Sequence, residues 1–301
     1  MIAGCIDIGS NTTRLLVAER DSQTGALRAV HKERVFLPLT GVEDGDPVAL
    51  RRLGTLEVIV SRLAGDARAC GVAPGQLRAV ATQALRSVPE PERAEVLRRL
   101  SDAAGVAVEL LSPDQEAQLA FAGATACADR RCSSVGVIDV GGGSTELIIG
   151  APGQAPTWWC SIPLGSRVLT ERFLHTDPPT EAELGGAETA ARTALADIAP
   201  PEMPLRVWTV GGGTQSLATL LGGRPADSST LADTIATLTA APAIEVAAAH
   251  GLDELRTRML PAALVLLRTA VDLLGRPAEP GAGGVREGVV IEIATSGHSA
   301  D

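Results

Sequence analysis

Two stretches of this chain repeat one pattern of apolar and polar positions. Ile6-Asp7-Ile8-Gly9-Ser10-Asn11-Thr12-Thr13-Arg14-Leu15-Leu16-Val17 lies without a gap over Ile138-Asp139-Val140-Gly141-Gly142-Gly143-Ser144-Thr145-Glu146-Leu147-Ile148-Ile149. Each copy reads as an apolar strand, an Asp at its end, a Gly turn and a second apolar strand. That order predicts a β-hairpin with an acidic residue and a tight backbone at its tip. Two such hairpins nearly half a chain apart point to a duplicated α/β lobe. Around them the periodicity alternates. Asp46-Pro47 reads as an N-cap with Pro at the first helical position, and Leu50, Leu53, Leu56, Ile59 and Leu63 follow at helical spacing. Residues 77–81 read as a strand, 91–104 as a helix and 106–111 as a strand, and Ser112-Pro113 opens a helix through about Ala126. Further on come helices over 180–197 and 261–274 and a strand over 207–210. A Pro/Gly-rich loop at 277–284 precedes a final helix from about Arg286. Such alternation predicts sheets covered by helices. The periodic pattern lapses over 124–133, where a lobe boundary is expected.

Composition narrows the function. At 301 residues the chain suits two domains better than one. With three Phe, three Trp and no Tyr, its cores must be filled by Leu, Val, Ile and Ala. A net charge of −10 argues against a nucleic-acid or anionic-membrane surface, since both reward basic stripes. The five cysteines form no Cys-x-x-Cys pair, and no second pair completes a zinc site beside Cys127 and Cys132. Reduced thiols in a cytoplasm are the simple reading. The first residues read as a strand, not as a basic region followed by an apolar run. No uninterrupted apolar stretch of about 18 residues exists, so neither a leader nor a membrane span is expected. Lys32 is the only lysine and precedes Glu33, which excludes a P-loop. Phosphate, if bound, must meet Arg, backbone amides, hydroxyls or a metal.

The segment Asp139–Glu146 is dense in such groups. Its glycines, Gly141, Gly142 and Gly143, let the backbone approach a ligand and turn N–H groups toward an anion. Ser144 and Thr145 add hydroxyls, and Asp139 and Glu146 are placed to hold a divalent cation. The dinucleotide pattern is not met, because Glu146 takes the position of its last Gly. A third turn, Gly211-Gly212-Gly213-Thr214, joins a strand to a helix start, which is an anion-binding geometry. Glu116, in the first turns of its helix, reads either as a general base or as an acid complementing the helix dipole. Arg86 reads either as a phosphate donor or as a solvated loop residue. His31, His175, His250 and His298 lack ligand spacing, there is no G-x-S-x-G elbow, and no Cys sits in a nucleophile context. An activated water is the expected nucleophile.

Taken in order, these segments resemble the Ppx/GppA family of exopolyphosphatases and guanosine pentaphosphate phosphohydrolases, within the actin/hsp70/sugar-kinase superfamily. IDIGSNTTRLLV at 6–17 and IDVGGGSTEL at 138–147 look like its two phosphate loops. ATQALR at 81–86 and LSPDQEAQLAFAG at 111–123 resemble its ATSALR-type and catalytic segments, and SIPLGSRVLTERF at 161–173 and GVREGV at 284–289 resemble later ones. The resemblance implies two duplicated ribonuclease H-like lobes, 1–125 and 126–301, with a cleft between them. It also implies hydrolysis of a terminal phosphoanhydride by a water assisted by Mg²⁺ or another divalent cation. Residue by residue, Glu116 matches the catalytic glutamate, and Asp139 and Glu146 match metal-associated carboxylates. Asn11, Thr12, Arg86, Gly141, Gly142, Gly143, Ser144 and Thr145 match phosphate contacts, to which the third turn adds Gly212, Gly213 and Thr214. Departures are Pro113 for Gly, Gln115 for Glu, Gln118 for Arg and Gln83 for Ser. The segment 256–267 lacks the usual Asp and Gly, and the helical extension of long members is absent.

The expectation is an exopolyphosphatase of the short two-domain form. A guanosine pentaphosphate phosphohydrolase shares every motif and stands as the alternative. A non-catalytic polyphosphate or alarmone sensor is the reading from another class, and a sugar or carboxylate kinase of the same superfamily is a further one. Polyphosphate or guanosine pentaphosphate is the expected partner, with no nucleic acid, no membrane, a cytoplasmic location and a homodimer consistent with the family.

Overall fold

The computed structural model describes residues 1–21, 25–39 and 47–296, with side chains described from residue 52 onward in the first helix. The expected N-cap Asp46, the side chain of Leu50 and His298 lie outside the described residues. The chain opens with β1 (Ile2–Ile8), β2 (Thr12–Arg20), β3 (Leu27–Phe36) and α1 (Pro47–Ala69). Then come β4 (Leu77–Ala81), α2 (Gln83–Arg86), α3 (Glu92–Ala104), β5 (Val108–Leu110) and α4 (Pro113–Ala124). The second hairpin is β6 (Val135–Val140) and β7 (Thr145–Gly150), followed by β8 (Trp158–Ile162), α5 (Ser166–Phe173) and α6 (Glu181–Leu195). The remainder is β9 (Arg206–Gly211), α7 (Thr214–Leu221), α8 (Ser228–Leu238), α9 (Ala243–His250), α10 (Glu254–Leu274), β10 (Ala278–Pro280) and α11 (Val285–Ser296).

Two five-stranded sheets result, ordered β3-β2-β1-β4-β5 and β10-β9-β6-β7-β8. In each, the hairpin and the strand after it are antiparallel, and two later strands join the first strand's side in parallel. Counted from its own hairpin, each sheet runs 3-2-1-4-5, so both are ribonuclease H-like and the duplication read from the sequence is a duplication of the fold. Parallel neighbours need crossover connections, which the helices supply. Edge strands β3, β8 and β10 carry no predicted signal. In β3 only Leu27, His31, Glu33 and Val35 are half-buried and every other residue is exposed, so the apolar period that marks an inner strand is missing.

The chain divides into Met1–Cys127 with Gly283–Asp301, and Ala128–Ala282. The boundary falls within the expected 124–133, but the assignment of everything after residue 125 to one lobe is corrected. Helix α11 belongs to the first unit. Its Val289 and Val290 are fully buried in a cluster with Ala3, Cys5, Leu16, Ala18, Val80, Leu111 and Leu119. Against α4 it packs backbone to backbone. A methyl at Gly123 would lie 2.0 Å from the Gly284 carbonyl oxygen, and one at Gly288 would lie 2.1 Å from that of Leu119. Arg78 of β4 fastens the same helix, donating to Glu109 at 2.9 and 2.7 Å and to Glu292 at 2.7 Å. On the other sheet face Leu53, Leu56, Ile59 and Leu63 of α1 are buried as their spacing predicts.

In the second unit the core centres on α10, whose buried residues include Leu260, Leu264, Leu267 and Val271. This helix begins earlier than its proline suggested. Asp253 caps it by accepting from the Arg256 N–H at 2.9 Å, and Pro261 lies buried inside. Burial of the surrounding apolar face outweighs the missing N–H at that turn. Helix α6 starts as its sequence promises, with Thr180 and Glu183 forming a capping box. Among the described residues no single helix is long and apolar enough to cross a membrane.

Candidate active site

Both hairpin tips are held by their carbonyl oxygens. At the first, the Gly9 N–H closes the turn on the Thr12 carbonyl at 3.1 Å, and the N–H groups of Leu37 and Leu39 donate to Asn11 and Ser10 at 3.0 and 2.9 Å. At the second, the Gly141 N–H closes on Ser144 at 3.0 Å, while the α5 N–H groups of Ser166 and Arg167 donate to Gly141 and Gly142 at 2.9 and 3.0 Å. The two ends of a peptide plane point opposite ways. The N–H groups of Asn11 and Thr12, and of Gly142 and Gly143, therefore face away from these contacts. That is the orientation an anion requires. Gly165, which caps α5, packs so closely that a methyl there would stand 2.4 Å from the Gly142 carbonyl carbon. Thr145 is fully buried and donates its hydroxyl to the Leu164 carbonyl at 2.7 Å.

The tips differ in charge. Asp7 faces Arg14 across β1 and β2, whereas the equivalent Asp139 faces Glu146 across β6 and β7. Paired residues share a sheet face, and like charges directly opposite repel. Glu146 is buried and accepts from Ser161 Oγ at 2.7 Å. Asp139 and Glu146 are the two carboxylates expected to hold a divalent cation, and their pairing places them on one face of the hairpin. Among the described residues no three His, Cys, Asp or Glu side chains cluster as metal ligands. A pair of carboxylates fits the chemistry of Mg²⁺, which takes one or two carboxylates and completes its shell with water and phosphate oxygens.

The third turn sits beside Asp139. Gly211 ends β9 with φ +94°, and a methyl on it would be 2.4 Å from Asp139 Oδ1. The Gly212 N–H is directed at the Val140 carbonyl at 3.4 Å. Gly213 caps α7 without a side chain, and the hydroxyl of Thr214 is buried with no partner among the described residues. A helix start is a geometry that can receive an anion.

In the first unit, Ser112 caps α4 and Gln115 returns its side-chain oxygen to the Ser112 N–H at 2.9 Å. Gln118 donates to Asp114 at 2.8 Å. These two departures thus lie on the exposed side of the helix, while Glu116 turns inward and is 8% exposed. Arg86 Nη1 donates to Glu116 Oε2 at 2.7 Å and to the Leu111 carbonyl at 2.8 Å. Its Nε and Nη2 donate to Gln83 Oε1 at 3.2 and 3.0 Å. Of the five N–H groups of a guanidinium, one then remains for a phosphate, so Arg86 is first a partner of Glu116.

Burial pushes the Glu116 carboxyl above the usual glutamate value, against the charge and hydrogen bond of Arg86, and the charge of Asp7 adds to the rise. Asp7 is itself pushed up, chiefly by burial, while Arg14 and Arg286 oppose and Glu287 reinforces. Asp7 is a site candidate that sequence reading left out. The signal was present, since Asp7 holds the place of Asp139 in the repeat. The two thiols on sheet strands are unsuited to act as nucleophiles. Cys5 is fully buried with its thiol pushed up by burial, and Cys160 is pushed up to about 11 for the same reason.

The profile of the Ppx/GppA phosphatase family matches residues 66–296. An uncharacterized protein of Streptomyces coelicolor is 32% identical over 310 residues, covering 97% of this chain and 90% of its own. Exopolyphosphatase 2 of Mycobacterium tuberculosis is 32% identical over 230 residues, covering 72% and 69%. The fold is shared with the Aquifex aeolicus member of the Ppx/GppA family, at 23% identity, TM-score 0.81 and coverage of 99% and 98%. An exopolyphosphatase structure from Cytophaga hutchinsonii matches at 22% identity, TM-score 0.80 and 98% of each chain.

Proposed function

The chain belongs to the Ppx/GppA phosphatase family, hydrolases of phosphoanhydride bonds, and we propose that it is an exopolyphosphatase that releases orthophosphate from the end of inorganic polyphosphate. The observation that carries this reading is Glu116, a buried carboxylate held by a guanidinium at 2.7 Å at the start of a helix. A carboxylate whose pKa is raised by burial accepts a proton better than a solvated one. In this reading Glu116 orients a water and takes its proton, with Arg86 keeping the carboxylate ionised. Asn11 and Thr12 on the first tip offer N–H groups to phosphate, as do Gly142 and Gly143 on the second, where Ser144 adds a hydroxyl. Gly213 and Thr214 do the same at the start of α7. Asp139 and Glu146 would hold Mg²⁺, which would neutralise charge on phosphoryl oxygens. With a net charge of −10, local Arg side chains and the cation must attract the polyanion. We place the activity in the cytoplasm, where the free cysteines stay reduced.

The test is orthophosphate release from short polyphosphate, long polyphosphate and guanosine pentaphosphate, with Mg²⁺ or with EDTA, for wild type and Glu116→Gln. Release from polyphosphate that needs Mg²⁺ and falls at least about 100-fold in the variant is expected. Preferential turnover of guanosine pentaphosphate would transfer the assignment to that substrate. Binding without release from any of the three would replace the enzyme with a sensor.

A further inference from the structure

Gln83 forms a side-chain network with Arg86 and Glu116 at the proposed base. Its Oε1 takes both the Nε and the Nη2 hydrogens of Arg86, at 3.2 and 3.0 Å. Those two donors lie on one edge of the guanidinium, the edge a phosphate or carboxylate would take in a bidentate pair. The Gln83 amide is itself anchored. Its Nε2 donates to Ser87 Oγ at 3.3 Å, and Ser87 Oγ donates back to the Gln83 carbonyl at 3.1 Å. With one edge so held, the planar group has a single orientation left. In it Nη1 spans Glu116 Oε2 at 2.7 Å and the Leu111 carbonyl at 2.8 Å.

We propose that Gln83 is a positioning residue: by filling the Nε/Nη2 edge of Arg86 it assigns that arginine to Glu116 in place of a bidentate phosphate grip, and so keeps the Glu116 carboxylate charged. The inference rests on reading Glu116 as the base. The charged groups acting on Glu116 are Arg86 from α2 and Asp7 from β1, of opposite effect. Loosening Arg86 therefore leaves burial and Asp7 to dominate, and both raise the pKa of the carboxyl.

Gln83→Met keeps the length and most of the volume of the side chain and removes the acceptor, while Gln83→Ala removes both. The Glu116 carboxyl is followed by carbon NMR on glutamate-labelled full-length protein, assigned by the signal lost in Glu116→Gln. The acid limb of kcat/KM for polyphosphate is measured in parallel. The expected result is an upward shift of the Glu116 midpoint by about half a pH unit to one unit in both variants. A matching shift of the acid limb and a KM that does not rise are also expected. An unmoved midpoint in Gln83→Met overturns the proposal, as does a shift seen only in Gln83→Ala, which would mark packing as the cause. Activity retained by Glu116→Gln defeats the reading of Glu116 as base. The NMR midpoint decides the role of Gln83 even then.

Discussion

The carboxylate of Asp139 occupies the space that a side chain on Gly211 would need, its Oδ1 standing 2.4 Å from the position of a methyl there. The same methyl would lie 2.6 Å from the Val140 carbonyl oxygen, on a residue whose φ of +94° already favours glycine. Gly211→Ala is expected to cost about 1–3 kcal/mol in denaturant unfolding. It should also raise the Mg²⁺ concentration needed for half-maximal activity, because Asp139 must move. Unchanged metal dependence would separate Asp139 from the metal.

Thr214→Val tests the orphan hydroxyl. Replacing an unpartnered buried hydroxyl by a methyl of the same shape leaves stability unchanged or slightly higher. A hydroxyl that donates to a phosphate oxygen is missed in catalysis, with an expected loss of about tenfold in kcat/KM. A variant with wild-type kinetics would assign Thr214 to packing alone.

Glu116 links activity to stability with opposite signs. Its carboxyl is pushed above the reference value of 4.5 by burial. Below pH 4.5 both folded and unfolded states hold the proton. As pH rises from there through the folded pKa, the unfolded state loses it first, so stability conferred by the protonated form is lost. The stability of Glu116→Gln minus that of wild type should therefore grow across this window and level off above it, while hydrolysis collapses. A Gln variant less stable at pH 7 than wild type would show that the Arg86 pair outweighs desolvation.

Gly288 is where α11 supports α4. Gly288→Ala must push a methyl into the Leu119 carbonyl, and a loss of about 1–3 kcal/mol or more is expected. Activity at a temperature where the variant stays folded should fall as well, since α4 carries Glu116. Full activity with lowered stability would confine the effect to packing.

Much of this architecture was legible in the chain. The gapless match of Ile6 over Ile138 predicts two hairpins, and because register follows from a tight turn, it also predicts that Asp139 faces Glu146. Ser112-Pro113 and Thr180 announce their helices through capping, a local interaction. What was not legible depends on distant partners. Nothing in the sequence of 285–296 says which sheet its valines cover, and the edge strand β3 shows no apolar alternation. Pro261 looks like a helix start because tertiary burial, not local preference, carries α10 through it. Arg86 and Glu116 were each singled out as candidates, but their contact joins a one-turn helix to another helix thirty positions on. Gln83 was visible only as a departure from the family, and its role emerged from the two donors it covers.

The late return of α11 to the first unit has a consequence for synthesis. On the ribosome, chains emerge from the N-terminus, and domains ordinarily fold as units in that order. Here residues 128–282 form a continuous stretch able to close its own core while the nascent chain before it waits. The sheet face made by Ala3, Cys5, Leu16 and Val80 lacks part of its cover until Val289 and Val290 arrive. Such a partly open apolar face is a natural client for chaperones. The helix of Glu116 thus receives its backing last, and a nascent chain stalled short of residue 285 would hold every proposed phosphate-binding turn without a finished support for its base.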